Sequence, residues 1–105
     1  MMKDVLIKNF EGVKNQFVLE EEGNAVLQSY KSIVVTIIDG DITFGQDWNY
    51  STTTSKYVYK FLNEFIYLIN KEIKQDIIKA LESNNKKAKF EKLIDKGIIL
   101  YDVDL

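Results

Sequence analysis

The sequence predicts a small α+β domain: an antiparallel β meander packed by a long amphipathic helix, with C-terminal helices and a closing strand. Three observations carry this. Residues 5–45 are short β-branched or alternating runs separated by turn residues, and a helical apolar period takes over from residue 53. The composition, 46% apolar against 29% charged over 105 residues, supplies enough apolar surface to offset chain entropy. That length supports one domain, 1–105, with a modest core and no large cleft between domains.

Residues 5–10, from Val5 to Phe10, are β-rich and end at Glu11 and Gly12, so a first strand is expected, with a short helix as the alternative. Residues 16–20 put Phe17 and Leu19 on one face, and turn residues follow before residues 25–30, which reads as a hairpin. Residues 32–38 are apolar on both faces and rich in β-branched side chains, as expected of an interior strand covered on each side. Asp39 and Gly40 then form a strong hairpin signal leading into residues 41–45, because a type I′ turn needs positive φ at both central positions.

The loop from Asp47 to Ser55 supplies several hydroxyls able to cap the helix that follows, predicted over residues 53–73. At ~100° per residue, Val58, Phe61, Leu62, Phe65, Ile69 and Ile73 form one broad stripe that should pack on the sheet. Residues 75–81 either continue this helix or follow a bend near Asn70. Phe90, Leu93 and Ile94 share a face of a short helix that stops at Gly97, and residues 98–103 close the chain as a strand on an edge of the meander.

Composition excludes several chemistries. The chain has no Cys, so disulfides, thiolate metal sites and a Cys nucleophile are ruled out, and no His, which removes the commonest zinc ligand and neutral-pH acid–base. No spacing pairs another nucleophile with a base, so neither catalysis nor a cofactor or metal is expected. Every one of the 14 basic residues is a lysine, so the guanidinium fork that reads guanine and phosphate is missing and nucleic acid is the lesser partner. Residues 1–55 hold 4 Lys against 8 Asp and Glu, and residues 56–105 hold 10 Lys against 8, so the halves can present faces of opposite sign. No apolar run approaches the ~20 residues of a membrane span and no signal-peptide core opens the chain, so a cytoplasmic location in a bacterial cell is expected.

Two groups stand out as partner-binding candidates. On a continuous helix, Lys56, Lys60, Asn63, Tyr67, Lys71 and Lys74 fall within ~40° of Tyr67, a lysine stripe around one aromatic that suits phosphates with a stacked base, or an acidic protein surface. The plainer reading is a solvated helix face with one exposed tyrosine. Glu20, Glu21 and Glu22, with Asp39, Asp41 and Asp47, are a candidate acidic patch; the plainer reading is turn chemistry and edge protection. The run from Ser51 to Ser55 can offer hydroxyls and free N–H groups to an anion, although one cap residue suffices. Trp48 and Tyr50 are either partner anchors or loop packing.

Residues 27–30 (Leu27, Gln28, Ser29, Tyr30), the strand over 33–38, the loop Trp48-Asn49-Tyr50-Ser51-Thr52-Thr53-Thr54-Ser55-Lys56 and the pair Phe61-Leu62 resemble a signature of small phage- and plasmid-encoded proteins of low-GC bacteria. The resemblance covers about residues 16–64 and carries over no functional residue. It implies a mobile element, where small Cys-free proteins often bind and block host machinery, including CRISPR effectors. The leading expectation is thus a non-catalytic inhibitor of a host defence protein of the anti-CRISPR type. The rival expectations are a nucleic-acid-binding accessory protein and a phage component that self-associates through strand edges.

Overall fold

In the computed structural model, which describes residues 6–12 and 14–105, tight turns set the sheet. Asp39 and Gly40 take φ of 53° and 84°, the pair of positive values that a type I′ turn requires. Strands β4 (Ser32–Ile38) and β5 (Asp41–Gly45) therefore pair directly, Ile38 opposite Asp41. Glu22 and Gly23 form the equivalent turn between β2 (Gln16–Glu21) and β3 (Asn24–Ser29). Strand β1 (Leu6–Asn9) pairs antiparallel with β2. The predicted first strand began at Val5, which lies outside the described residues, and it stops before Phe10. There a 3₁₀ turn, Phe10–Gly12, carries the Phe10 ring edge-on to Tyr57 and Phe61.

The closing strand forms as β6 (Leu100–Asp102), shorter than predicted, and joins β5 in parallel. Among the described residues the sheet has six strands in the order β1-β2-β3-β4-β5-β6. A parallel neighbour needs a long crossover, and helices α1 (Thr52–Glu64), α2 (Lys71–Glu82) and α3 (Lys86–Asp95) provide it. The stop after α3 occurs where predicted: Gly97 N–H donates to Ile94 C=O at 3.0 Å and Ile98 N–H to Leu93 C=O at 3.0 Å.

The single helix expected over residues 53–73 does not form. Phe65 caps α1, Ile66–Leu68 make a 3₁₀ turn, and Ile69 and Asn70 are extended before α2 begins. The bend near Asn70 is thus the alternative realised. Its cause is tertiary: Asn70 N–H donates to Gly40 C=O at 3.0 Å and Asn70 Nδ2 to Asp41 Oδ1 at 2.8 Å. A continuous helix would commit that backbone N–H to its own fourth predecessor. The apolar stripe survives the break, with Val58, Phe61, Leu62, Phe65 and Ile69 all buried and Ile73 packed at the core margin.

All three helices pack on one face of the sheet, where Val18, Ala25, Leu27, Val35, Ile37, Ile42 and Phe44 form the core with Phe61, Ile77, Phe90 and their neighbours. The expectation that β4 is covered on each side is corrected by its register. Leu27 faces Val35 but Gln28 faces Ile33, so a bulge leaves Val34 unpaired and turns it with Val35 into the same core. Thr36 alone of the four buried residues 34–37 belongs to the second face, shielded between its register partners Val26 and Thr43. The apolar residues of that face, Phe17, Leu19, Val26 and Ile33, are half-buried and lie outside the core.

Candidate functional site

The break between α1 and α2 builds the site. Docking of Asn70 on the β4–β5 turn places the Ile66–Leu68 turn at the end of the sheet that also carries the β2–β3 turn. Tyr67 is 65% exposed there, its ring 6.2 Å from that of Phe65. With Leu68 it borders a hollow whose opposite wall is Glu20, Glu21, Glu22, Gly23 and Asn24. Asn24 Oδ1 accepts the Asp39 N–H at 3.0 Å, which ties the two acidic turns together. Two candidates that were separate in the sequence, the carboxylates and Tyr67, therefore share one surface.

The single helix on which the lysine stripe was drawn is broken. Its wheel assumed one helix, whereas Lys56 and Lys60 sit on α1, Tyr67 on the 3₁₀ turn, and Lys71 and Lys74 on α2. Each break resets the angular count, so a common ~100° advance no longer applies. Lys56 and Lys60 instead bracket the buried Tyr57 ring, with Nζ 5.7 and 5.5 Å from its centroid, a cation–π arrangement that holds them to the helix surface.

The acidic residues have distinct local duties. Asp41 accepts the Asn70 amide and Asp39 occupies the turn, so both help to seat the helix corner. Among the described residues no group of three carboxylates converges as metal ligands. Trp48 is core, buried against Phe44 with ring centroids 4.9 Å apart, while Tyr50 of the same loop is exposed.

A second hollow lies where two helices start. Thr52, Ser55 and Lys56 of α1 face Asn85, Lys86 and Lys87 at the start of α3, with Tyr59 beside them. Tyr59 stacks on Phe90 at 5.3 Å, and burial raises its phenol above the ordinary tyrosine value, a shift opposed by a hydrogen bond with Ser55 and reinforced by the Glu91 charge. The hydroxyl run is largely consumed locally. Ser51 Oγ accepts the Thr54 N–H at 3.1 Å and lies 3.2 Å from Thr54 Oγ1, and Ser55 Oγ donates to Ser51 C=O at 3.1 Å. Helical periodicity does not single out Lys86 and Lys87. The adjacent lysines after Asn84 and Asn85 were the available signal, and only the return of α2 brings them to the start of α1.

No described helix is long and apolar enough to cross a membrane. No curated protein and no solved structure matches the chain. A family model does match it, over residues 6–80, which run from β1 into α2 and include the acidic turns and Tyr67. The chain belongs to the family of unknown function DUF8033.

Proposed function

We propose that the protein is a non-catalytic binding protein of a phage or other mobile element that inhibits a host defence protein, most concretely an anti-CRISPR-type inhibitor of a CRISPR effector nuclease. The observation that supports binding is Tyr67, exposed in a hollow walled by Glu20, Glu21 and Glu22. A large ring gives a partner an apolar anchor. Carboxylates around it favour a basic partner, speed encounter and reject acidic surfaces. The nucleic-acid channel of a nuclease is such a basic surface, and an occupant of this chemistry competes for the groups that hold phosphate. The genomic setting rests on the resemblance of residues 16–64 to phage and plasmid proteins.

The test is capture of effector nucleases from low-GC hosts on the tagged protein, with and without nuclease treatment, followed by titration of the protein into DNA cleavage by the captured effector. Capture should survive nuclease treatment and cleavage should fall as protein is added. Tyr67→Ala should abolish both while moving the melting temperature by less than about 4 °C. A Tyr67→Ala protein that inhibits as well as wild type would sink this assignment of the site.

The second hollow favours one other reading, a nucleic-acid-binding accessory protein using Lys56, Lys86 and Lys87. Phosphate binding weakens steeply with salt, so capture lost on nuclease treatment, together with a steep salt slope for a labelled oligonucleotide, would replace the inhibitor reading with this one.

A further inference from the structure

The sheet face turned away from the helices is uncharged at its centre, where Gln28 sits beside apolar residues, and carries Glu21 and Asp41 at one end. Phe17, Leu19, Val26 and Ile33 are half-buried on it, Ile38 and Leu100 are exposed, and the register sets Thr36 and Thr43 among them. Such a face normally marks an interaction surface. We propose that it is covered by the same face of a second copy of this chain, giving a twofold β-sandwich dimer.

Three features argue for a second copy. A broad sheet face without central charge suits an equally broad apolar face, and stacked sheets do this at a separation of ~10 Å. The area approaches the required scale: six strands ~4.8 Å apart and about five rows of ~3.3 Å give roughly 475 Å² per copy, or about 950 Å² for the pair, close to the ~1,000 Å² at which specific interfaces begin. The rim charges also complement one another. Lys31, in the β3–β4 turn, lies at one end of the sheet, beside the turn that carries Lys14, because Tyr30 N–H donates to Asn15 C=O at 2.7 Å. Glu22 and Asp39 occupy the flanking turns at the other end.

Charge then selects the axis. A twofold running along the strands sets the acidic end of each copy on the acidic end of the other. A twofold in the plane of the face but across the strands brings Lys31 of one copy between the Glu22 and Asp39 turns of the second. Acids also lie near the Lys31 end: Asp47 accepts the Ser32 hydroxyl at 3.1 Å, and Asp102, on the outer strand β6, accepts the Asp104 N–H at 2.9 Å and in this arrangement meets the opposite end of β6, away from those turns.

The test is sedimentation velocity of the full chain from about 1 µM to about 1 mM. Wild type should pass from the 12.2 kDa monomer to twice that mass. Val26→Lys, which sets like charges together at the centre of the interface, should weaken dimerisation at least ~100-fold with an unchanged circular-dichroism spectrum. Thr43→Lys is the replacement if the first variant misfolds. Lys31→Glu should weaken the dimer and Lys31→Glu with Glu22→Lys should restore it. Wild type that stays monomeric throughout overturns the proposal, as does self-association that persists in a folded Val26→Lys or Thr43→Lys, which would place it on the strand edges. A dimer insensitive to the charge pair would overturn the axis. Val26 lies outside the Tyr67 hollow, so failure of this proposal and failure of the inhibitor reading are scored separately.

Discussion

Gly40 is a position where two separate demands meet in one residue. Its φ of 84° belongs to the region that disfavours a Cβ, and the Asn70 side chain occupies the space that a Cβ would need. Gly40→Ala should therefore cost about 2 to 4 kcal/mol, from the left-handed backbone penalty together with loss of the Asn70 hydrogen bonds, as measured by urea denaturation. An unaltered midpoint would show that Asn70 does not dock there. Phe65 and Tyr67 make a matched pair on the following turn. Phe65 is 2% exposed with its ring 5.0 Å from Phe61, so Phe65→Ala should cost ~3 to 5 kcal/mol. Tyr67→Ala should change stability by no more than ~0.5 kcal/mol. The burial of Phe65 was legible from its spacing to Phe61, and the Asp39-Gly40 turn from its dipeptide. The contact of Gly40 with Asn70 was not legible, because thirty positions of chain separate them and only folding brings them together.

Among the elements, α1 starts on a run of hydroxyls of which three, Ser51, Thr54 and Ser55, act together. Ser51 caps, the buried Thr54 backs it, and Ser55 returns to the Ser51 carbonyl. Ser51→Ala should lower stability by about 1 kcal/mol, read from the thermal midpoint, whereas the exposed Thr52 and Thr53 should tolerate the same change. Tyr59 links α1 to α3 by stacking on Phe90. Because folding raises its pKa, its contribution is fully present below the unfolded value of about 10. It is lost as pH climbs through the higher folded value, since the unfolded chain gives up the proton first. Between about pH 9 and pH 11, wild type should therefore lose stability more steeply than Tyr59→Phe in urea midpoints taken at each pH. Equal slopes would show that the phenol titrates as freely in the folded protein as in the unfolded chain.

At the scale of the molecule, the charge division of the sequence acquires a spatial meaning. Residues 1–55, with 8 acidic residues against 4 lysines, supply strands β1 to β5, and residues 56–105, with 10 lysines against 8 acidic residues, supply most of the helical layer. Glu20, Glu21 and Glu22 stand where the two layers meet around Tyr67. Replacing all three with lysine should slow capture of a basic partner by tenfold or more while leaving the thermal midpoint nearly unchanged. Raising salt should narrow the gap to wild type, because screening acts mainly on the rate of encounter. Biolayer interferometry at two salt concentrations would decide, and a triple variant with the wild-type rate would remove the carboxylates from the interface.

Local signals specify the strands with their alternating or β-branched residues, the Asp39-Gly40 hairpin, the capped start of α1, the apolar stripe from Val58 to Ile69, and the stop at Gly97. Each depends on residues a few positions apart, and backbone sterics and side-chain periodicity act at that range. Long-range packing set the remaining features. It broke the helix before α2 where Asn70 contacts Gly40 and Asp41, divided the lysines of the stripe between α1 and α2, and moved Tyr67 beside the acidic turn. A bulge in β4 converted an apparently double-sided strand into one whose second face is left outside the core. These outcomes depend on hydrogen bonds and register between segments far apart in the chain, and a helical wheel or strand pattern cannot register a partner outside its own window.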